Sequence, residues 1–192
     1  MAETVRTFIA IELSPEARRF VGECQDRLRR AGGDVRWVRP DRIHLTRVVL
    51  GGVPAEALAD LEAAVREAAG KSAPFTVRMA GAGQFPPRGA PRVVWVGVSE
   101  PTGALGRLQA SIAEATAAFA EKVEDRAYAP HLTVGRVKGG RDLGRLSEAI
   151  AAMAAEEGPT IEACEVVVFR SDLAPEGPTY TPVARVALGE AR

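Results

Sequence analysis

The 192-residue chain is short of the residues that metal centres and disulfide frameworks need. It has two cysteines, Cys24 and Cys164, and neither belongs to a CxxC pair. Its two histidines lack HxxxH spacing, so a zinc site is not expected. Disulfides are rare in chains without an export signal, and we therefore expect two buried free thiols. No cofactor is implied by these residues.

The chain also lacks an excess of charge and any long apolar run. It has 25 basic and 25 acidic residues, whereas a protein that coats long nucleic acid usually has a basic surplus. An RNA substrate would therefore be bound at a terminus or as a small fragment. No apolar run approaches the roughly 18 residues that span a bilayer, and the apolar N-terminal stretch is short and bracketed by charges. We expect a cytoplasmic monomer that does not bind membranes.

Strand and helix patterns alternate along the whole chain. Ser14, Pro15 and Glu16 form a helix start, and Gly32 ends that helix. Periodicity predicts strands at 5–11, 35–38, 43–50, 75–80, 92–98, 131–137, 161–170 and 180–188, and helices at 14–32, 55–69, 103–120 and 142–155. The Gly- and Pro-rich stretch 81–91 is predicted to be a loop. These patterns indicate an α+β protein with largely antiparallel sheets and helices on their outer faces, in a single domain over residues 1–192.

Both histidines occur in the same tripeptide, His44-Leu45-Thr46 and His131-Leu132-Thr133, at the start of a predicted strand. Residues i and i+2 of a strand share one face, so each histidine projects together with its threonine. A single strand histidine is usually structural, and a His-x-Thr pair can be an ordinary cross-strand contact. Two copies that contain every histidine of the chain favour one shared active site.

Two imidazoles and two hydroxyls suit metal-free displacement at a cyclic phosphate. A neutral imidazole takes a proton from water, and a protonated imidazole gives one to the leaving oxygen. Hydroxyl groups donate hydrogen bonds to the non-bridging oxygens, where negative charge develops. We predict His44 and His131 as catalytic residues and Thr46 and Thr133 as substrate-binding residues, with no metal.

Several flanking segments resemble the two-histidine (2H) phosphoesterases, and most closely the RNA 2′,3′-cyclic phosphodiesterases of the 2′-5′ RNA ligase family. They are Arg6–Ile11, Trp37-Val38-Arg39-Pro40, Gly83-Gln84-Phe85-Pro86, the strand around Trp95, and Phe169-Arg170-Ser171. The resemblance implies a bilobal fold with a central cleft, formed by two pseudo-symmetric sheets that each contribute one His-x-Thr motif.

The resemblance also implies an activity. It implies hydrolysis of RNA 2′,3′-cyclic phosphate ends to 2′-phosphate ends, with a reversible 2′-5′ RNA ligase side activity. It assigns His44 as the proton donor to the leaving 3′-oxygen and His131 as the base, although the two motifs are too alike for the sequence to distinguish these roles. Substrates would be RNA termini or small cyclic-phosphate nucleotides.

The chain departs from the family near both motifs. Val48 stands where the family commonly has a basic residue, and strand alternation turns Arg47 away from the cleft. Arg136 matches a frequent basic residue and is predicted to bind substrate, but alternation points it away from His131 unless Gly135 marks a bulge. The aromatic residues Phe8, Phe85, Trp95 and Tyr128 could stack on a base or belong to the core, and Arg170 and Tyr180 could bind phosphate.

Three other functions fit the same residues. A related 2H phosphoesterase could act on another small cyclic phosphate or nucleotide with the same chemistry. A ligase would join RNA halves with a 5′-hydroxyl in place of water. A non-enzymatic RNA-end binder would need no matched pair of histidines, and that pair is present.

Overall fold

A computed structural model describes residues 3–122, 128–175 and 177–189, except for the side chains of Thr46 and Arg47. Nine strands are found in these ranges: β1 (Thr4–Ile11), β2 (Val35–Trp37), β3 (Leu45–Pro54), β4 (Phe75–Phe85), β5 (Val93–Ser99), β6 (His131–Val137), β7 (Glu157–Ala163), β8 (Glu165–Asp172) and β9 (Thr179–Ala187). Four helices accompany them: α1 (Pro15–Ala31), α2 (Leu58–Ala69), α3 (Ala104–Ala115) and α4 (Leu143–Ala152).

The strands form two antiparallel sheets, one for each His-Leu-Thr motif. The four-stranded sheet has the order β3-β1-β8-β9, and the five-stranded sheet has the order β2-β6-β5-β4-β7. Helices α2 and α3 pack against strands of the first sheet, and α1 and α4 pack against strands of the second. The predicted α+β class with two antiparallel sheets is confirmed.

Helix α1 begins and ends where the sequence predicts. The Ser14 hydroxyl oxygen accepts a hydrogen bond from the Ala17 N–H at 3.2 Å, and Pro15 occupies the first turn. Gly32 follows the helix with φ +93°, a conformation that favours glycine. The helix buries Ala17, Val21, Cys24 and Leu28 at helical spacing, and Gln25 is fully buried beside them.

Two segments differ from the predicted strands. The apolar run 161–170 is two strands that separate near Cys164, and β7 joins the five-stranded sheet while β8 joins the four-stranded sheet. Strand β4 continues to Phe85, through the glycines that predicted a loop. Position 81 requires glycine, because its φ is +63° and the Ala154 carbonyl lies where a β-carbon would be.

The cysteines are both free, but only one is buried. Cys24 of α1 is buried in the core, whereas Cys164, between β7 and β8, is exposed. The prediction of two buried thiols is therefore wrong for Cys164. No helix of the described residues is long and apolar enough to cross a membrane.

The core has a large and a small part. Most buried apolar side chains form one cluster between the sheets and their helices. A second cluster, which we call the aromatic cluster, lies on the opposite face of the four-stranded sheet: Phe8, Ala10, Val167 and Phe169, with Tyr180 packed against them. This face borders a cleft that is lined by residues of both sheets.

Candidate active site

His44 lies on the aromatic cluster, immediately before β3. Its ring stacks on Phe8 with centroids 4.6 Å apart and an interplanar angle of 24°. The Tyr180 ring meets it edge-on at 5.3 Å. The strand pairing of β1 with β3 thus delivers an imidazole onto a flat aromatic surface, which fixes the plane of the ring.

Burial sets the protonation state of His44 in the free protein. Removal from water lowers its pKa to about 4, while a hydrogen bond to the backbone of Arg42 and the nearby charge of Glu12 raise it in part. The imidazole of His44 is therefore neutral at neutral pH. A negatively charged ligand beside it would stabilise the protonated form and raise this pKa.

His131 is the first residue of β6 and has its own aromatic neighbours. The Phe85 ring meets it edge-on at 5.0 Å, and the Trp95 ring lies 6.4 Å away. Nδ1 of His131 lies 2.7 Å from the carbonyl oxygen of Ala129, which can only accept. In the neutral ring Nδ1 therefore holds the hydrogen, and Nε2 is free to take or give a proton.

The two histidines are held in matching ways. Each ring hydrogen-bonds the backbone two residues before it, Arg42 for His44 and Ala129 for His131. Each is also flanked by aromatic rings from its own sheet. A restrained ring presents one nitrogen in a fixed direction, which proton transfer requires.

Gly83 makes room for the aromatic wall beside His131. It pairs directly with Trp95 across β4 and β5, and the indole lies where a β-carbon of residue 83 would be. A side chain at position 83 would therefore displace the indole or the strand. This packing gives a physical reason for a glycine in the segment Gly83–Pro86.

A bulge in β6 decides which way Arg136 points. Thr133 pairs with Trp95 on β5, but Gly135 already pairs with Val94, so the alternation of β6 shifts by one residue. Arg136 then pairs with Val93, on the same face as His131 and Thr133. Without this bulge, alternation would place Arg136 on the opposite face.

Buried Gln25 of α1 holds this bulge in place. Its Nε2 donates to the carbonyl of Val134 at 2.8 Å and to the carbonyl of Val38 at 2.6 Å. The backbone N–H of Val38 also donates to the Val134 carbonyl, at 3.0 Å. The carbonyl of Val134 therefore accepts two hydrogen bonds. This role explains why a polar side chain is buried on α1, which the periodicity of the sequence does not predict.

A cleft of about 310 Å³ brings His44 and Arg136 together from the two sheets. Its lining residues are Arg6, Thr7, Phe8, His44, Val49, Gly51, Arg136, Ser171 and Tyr180. His131 and Thr133 do not line this cavity directly but share the cleft-facing side of β6 with Arg136. The backbone of Thr46 pairs with Ala10 of the aromatic cluster, while its side chain, like that of Arg47, lies outside the described part of the structure.

The two motifs supply different residues to the cleft five positions after the histidine. The first provides Val49, which is 60% exposed and lines the cavity, and the second provides Arg136. Val48, where the sequence suggested a lost basic residue, instead packs against the core cluster. At this position the first motif thus gives the cleft an apolar side chain and the second gives it a cation, while Arg6 of β1 is a further cation that lines the cavity.

No metal-binding group is evident among the residues described. Within the ranges 3–122, 128–175 and 177–189, no three histidine, cysteine, aspartate or glutamate side chains come together in a way that could hold an ion. The polar groups of the cleft are instead imidazole, hydroxyl and guanidinium groups, which recognise phosphate directly.

Comparison with known proteins agrees with this geometry. The sequence profile of the 2′-5′ RNA ligase superfamily matches residues 13–173. The chain is also 38% identical over 177 residues to the RNA 2′,3′-cyclic phosphodiesterase of Methanothermobacter thermautotrophicus, covering 92% of this chain and 95% of that protein. This chain belongs to the 2′-5′ RNA ligase superfamily.

Other members of the superfamily match over nearly their full length. The protein named RNA 2′,3′-cyclic phosphodiesterase in Thermus thermophilus is 34% identical over 191 residues, which is 96% of this chain and 90% of that protein. Among solved structures, TT0787 of Thermus thermophilus has a TM-score of 0.79 and 28% identity, covering 97% of this chain and all of that chain. E. coli LigT complexed with 3′-AMP has a TM-score of 0.71 and 26% identity, covering 97% and 99%.

Sequence reasoning missed two features of this superfamily member's site. Phe169 stacks on Phe8 at 5.0 Å and extends the surface beneath His44, but on the sequence it is one more apolar residue of a buried strand. The sequence suggests Tyr180 as a possible phosphate ligand, and the structure shows that it also packs edge-on against His44. The signal for Phe169 was the resemblance of the Phe169–Ser171 segment to the family.

Proposed function

We propose that this protein hydrolyses RNA 2′,3′-cyclic phosphate ends to 2′-phosphate ends by acid–base catalysis with His44 and His131. The observation that supports it most directly is the pair of restrained histidines, each tied to the backbone two residues earlier. One borders a cleft with Arg136, and the other shares a strand face with that arginine. Relatives named for this activity, at up to 38% identity, support the same substrate class.

The reaction needs one base, one acid and stabilisation of the phosphoryl oxygens. A neutral imidazole removes a proton from water as the water oxygen bonds to phosphorus. The bond from phosphorus to the 3′-oxygen breaks, and the protonated imidazole on the other side gives its proton to that oxygen. Arg136, Thr133 and Thr46 donate hydrogen bonds to the non-bridging oxygens, where the charge increases.

The family resemblance assigns the acid role to His44, and the structure shows what that role requires. His44 is neutral in the free protein, because its pKa is about 4. It can donate a proton only after the anionic cyclic phosphate has raised this pKa. In this proposal the bound substrate therefore promotes protonation of His44, which then gives the proton to the leaving oxygen. His131 acts as the base that takes a proton from water.

The pH dependence tests this sequence of events. We expect kcat/KM to fall as pH drops through about 4, because protonation of His44 in the free protein then leaves the pair of imidazoles with one proton too many for acid–base catalysis. The limb set by His44 should lie at higher pH in kcat than in kcat/KM, since bound phosphate favours imidazolium. Circular dichroism should show that the protein stays folded over this range. A kcat/KM that is constant between about pH 3 and pH 9 would contradict two-histidine catalysis.

The proposed chemistry uses no metal. Full activity is expected in excess chelator, because imidazoles move the protons and the guanidinium and hydroxyl groups stabilise the charge. The measurement is the initial rate with a 2′,3′-cyclic phosphate dinucleotide before and after chelator treatment. Loss of activity that one divalent ion restores would show that a metal takes part.

Product identification separates this function from its alternatives. The expected product is a 2′-phosphate, distinguishable from a 3′-phosphate by phosphorus NMR. Preferred turnover of a 3′,5′-cyclic nucleotide would favour a related phosphoesterase of different substrate. Binding of the RNA end without turnover would favour a non-enzymatic binder.

We also propose, as the sequence suggested, that the protein acts as a cytoplasmic monomer. Size-exclusion chromatography would test the oligomeric state.

A further inference from the structure

We infer that Arg36, directly opposite Arg136, binds the phosphate on the 5′ side of the terminal nucleoside while Arg136 binds the cyclic phosphate, so that the protein distinguishes an RNA end from a free cyclic nucleoside. This inference rests on the proposed function, because it extends the same cleft by one nucleotide. Neither the net charge nor the cleft chemistry alone requires such a site.

The first observation is a pair of like charges on adjacent strands. Arg36 of β2 lies directly opposite Arg136 of β6 in the antiparallel register, and both side chains are exposed. Like charges at directly opposed positions destabilise a sheet. Across the described residues, no carboxylate lies within ion-pair distance of either arginine. An anion placed between them would remove the repulsion.

The second observation is that Arg36 reaches toward the other sheet. Residues paired across two strands project on the same face, so Arg36 shares the cleft side with Arg136. Its Nη2 lies 3.8 Å from the position that a β-carbon of Gly177 would take, and the Arg42 guanidinium occupies that position itself. Gly177 is buried in the connection between β8 and β9, with φ +106°. Arg36 of the five-stranded sheet and Arg42 of the connection between β2 and β3 thus meet a loop of the four-stranded sheet at the rim of the cleft.

The third observation links this rim to the site of reaction. The charges of Arg42 and Arg136 both act on the hydroxyl of Tyr180, which lines the cleft with His44. Arg136 is therefore the inner member of the pair, and Arg36 lies one strand further out, a step of about 5 Å between neighbouring strands. The two guanidinium groups can therefore contact successive phosphates, Arg136 the cyclic phosphate and Arg36 the phosphate on its 5′ side.

The chemistry of the substrate identifies the anion. A nucleoside whose 2′- and 3′-oxygens are both in the cyclic phosphate can have another phosphate only at its 5′-oxygen. In RNA this group is the phosphodiester to the preceding nucleotide. With the cyclic phosphate at the histidines, we place the next phosphate of the strand at Arg36, because no carboxylate of the described residues offsets the charges of the arginine pair.

The test compares substrates that differ only at the 5′-oxygen. The three substrates are a nucleoside 2′,3′-cyclic phosphate, the same compound with a 5′-phosphate, and a dinucleotide that ends in the same cyclic phosphate. For the wild type we expect kcat/KM to be about 10-fold higher with either 5′-substituted compound, chiefly through KM, as a hydrogen bond to a charged group implies. Added salt should reduce this advantage.

Arg36→Gln should abolish the advantage and leave turnover of the unsubstituted compound within about twofold. The matched control is Arg19→Gln, which removes the same charge from an exposed position on α1 and should preserve the advantage. Arg36→Gln should also unfold at the same or a slightly higher temperature, because it removes a like-charge pair. This second measurement separates a binding role from a fold defect.

The outcomes distinguish the subsite from the proposed function. If the wild type hydrolyses none of the three compounds, the proposed function is wrong and the subsite with it. If it hydrolyses all three equally, or if Arg36→Gln slows all three alike, the function stands and the subsite is wrong. An advantage for the dinucleotide but not for the 5′-phosphate compound would show that the neighbouring nucleoside is recognised, which also overturns the phosphate subsite.

Discussion

Replacement of either His44 or His131 by alanine is expected to lower turnover of a 2′,3′-cyclic phosphate by roughly 10²- to 10⁴-fold. In the proposed mechanism each imidazole moves one proton in the same transition state, so loss of one leaves the other without its partner. The double variant is therefore expected to be little worse than either single variant. Steady-state rates with a dinucleotide substrate would measure both effects.

The packing of the rings calls for matched controls. His44 stacks on Phe8 and Tyr180, so alanine at position 44 leaves a gap in the aromatic cluster. His44→Phe keeps a ring on that surface but cannot transfer a proton, and we expect it to be as inactive as His44→Ala while unfolding closer to the wild-type temperature. Near-full activity in any of these variants would remove the histidine from the mechanism.

Replacement of Arg136 by glutamine is expected to lower kcat/KM by about 10- to 100-fold, the value of one or two hydrogen bonds to a charged phosphate. The bulge in β6 places this guanidinium in the cleft with His44, and no carboxylate within the described ranges pairs with it. Because charge on the phosphoryl oxygens increases in the transition state, part of the loss should appear in kcat as well as in KM.

Arg136→Lys is the control that keeps the positive charge but removes the planar guanidinium group. Lysine retains the positive charge but cannot make the two parallel hydrogen bonds of a guanidinium, so we expect it to recover only part of the loss. An Arg136→Gln variant with unchanged kinetics would mean that the bulge orients this side chain for a reason other than substrate binding.

The two identical tripeptides lie in different surroundings. His44 lies against Phe8, Phe169 and Tyr180, whereas His131 is flanked by Phe85 and Trp95 and lies beside the carbonyl of Ala129. The strand positions that follow differ as well, with Val49 in one motif and Arg136 in the other. The likeness of the two motifs therefore does not extend to the residues around them.

The sequence by itself determined which histidines are candidates for catalysis and where α1 begins. The chain has no histidines outside the two tripeptides, and local alternation was enough to place each histidine and its threonine on one face of a strand. The start of α1 was likewise fixed by neighbouring residues, because an N-cap hydrogen bond joins Ser14 to Ala17 within one turn. Such features depend on contacts between residues close in the sequence.

Only the tertiary structure decided how the two motifs are used. The direction of Arg136 depends on a bulge whose carbonyl is held by Gln25, 109 positions away. The assignment of β7 and β8 to different sheets depends on their strand partners, which are β4 for β7 and β1 and β9 for β8. The low pKa of His44 depends on burial against rings from three separate strands. These are long-range effects, and a pattern of residues along one strand has no means of encoding which distant side chain will exclude water or accept a hydrogen bond.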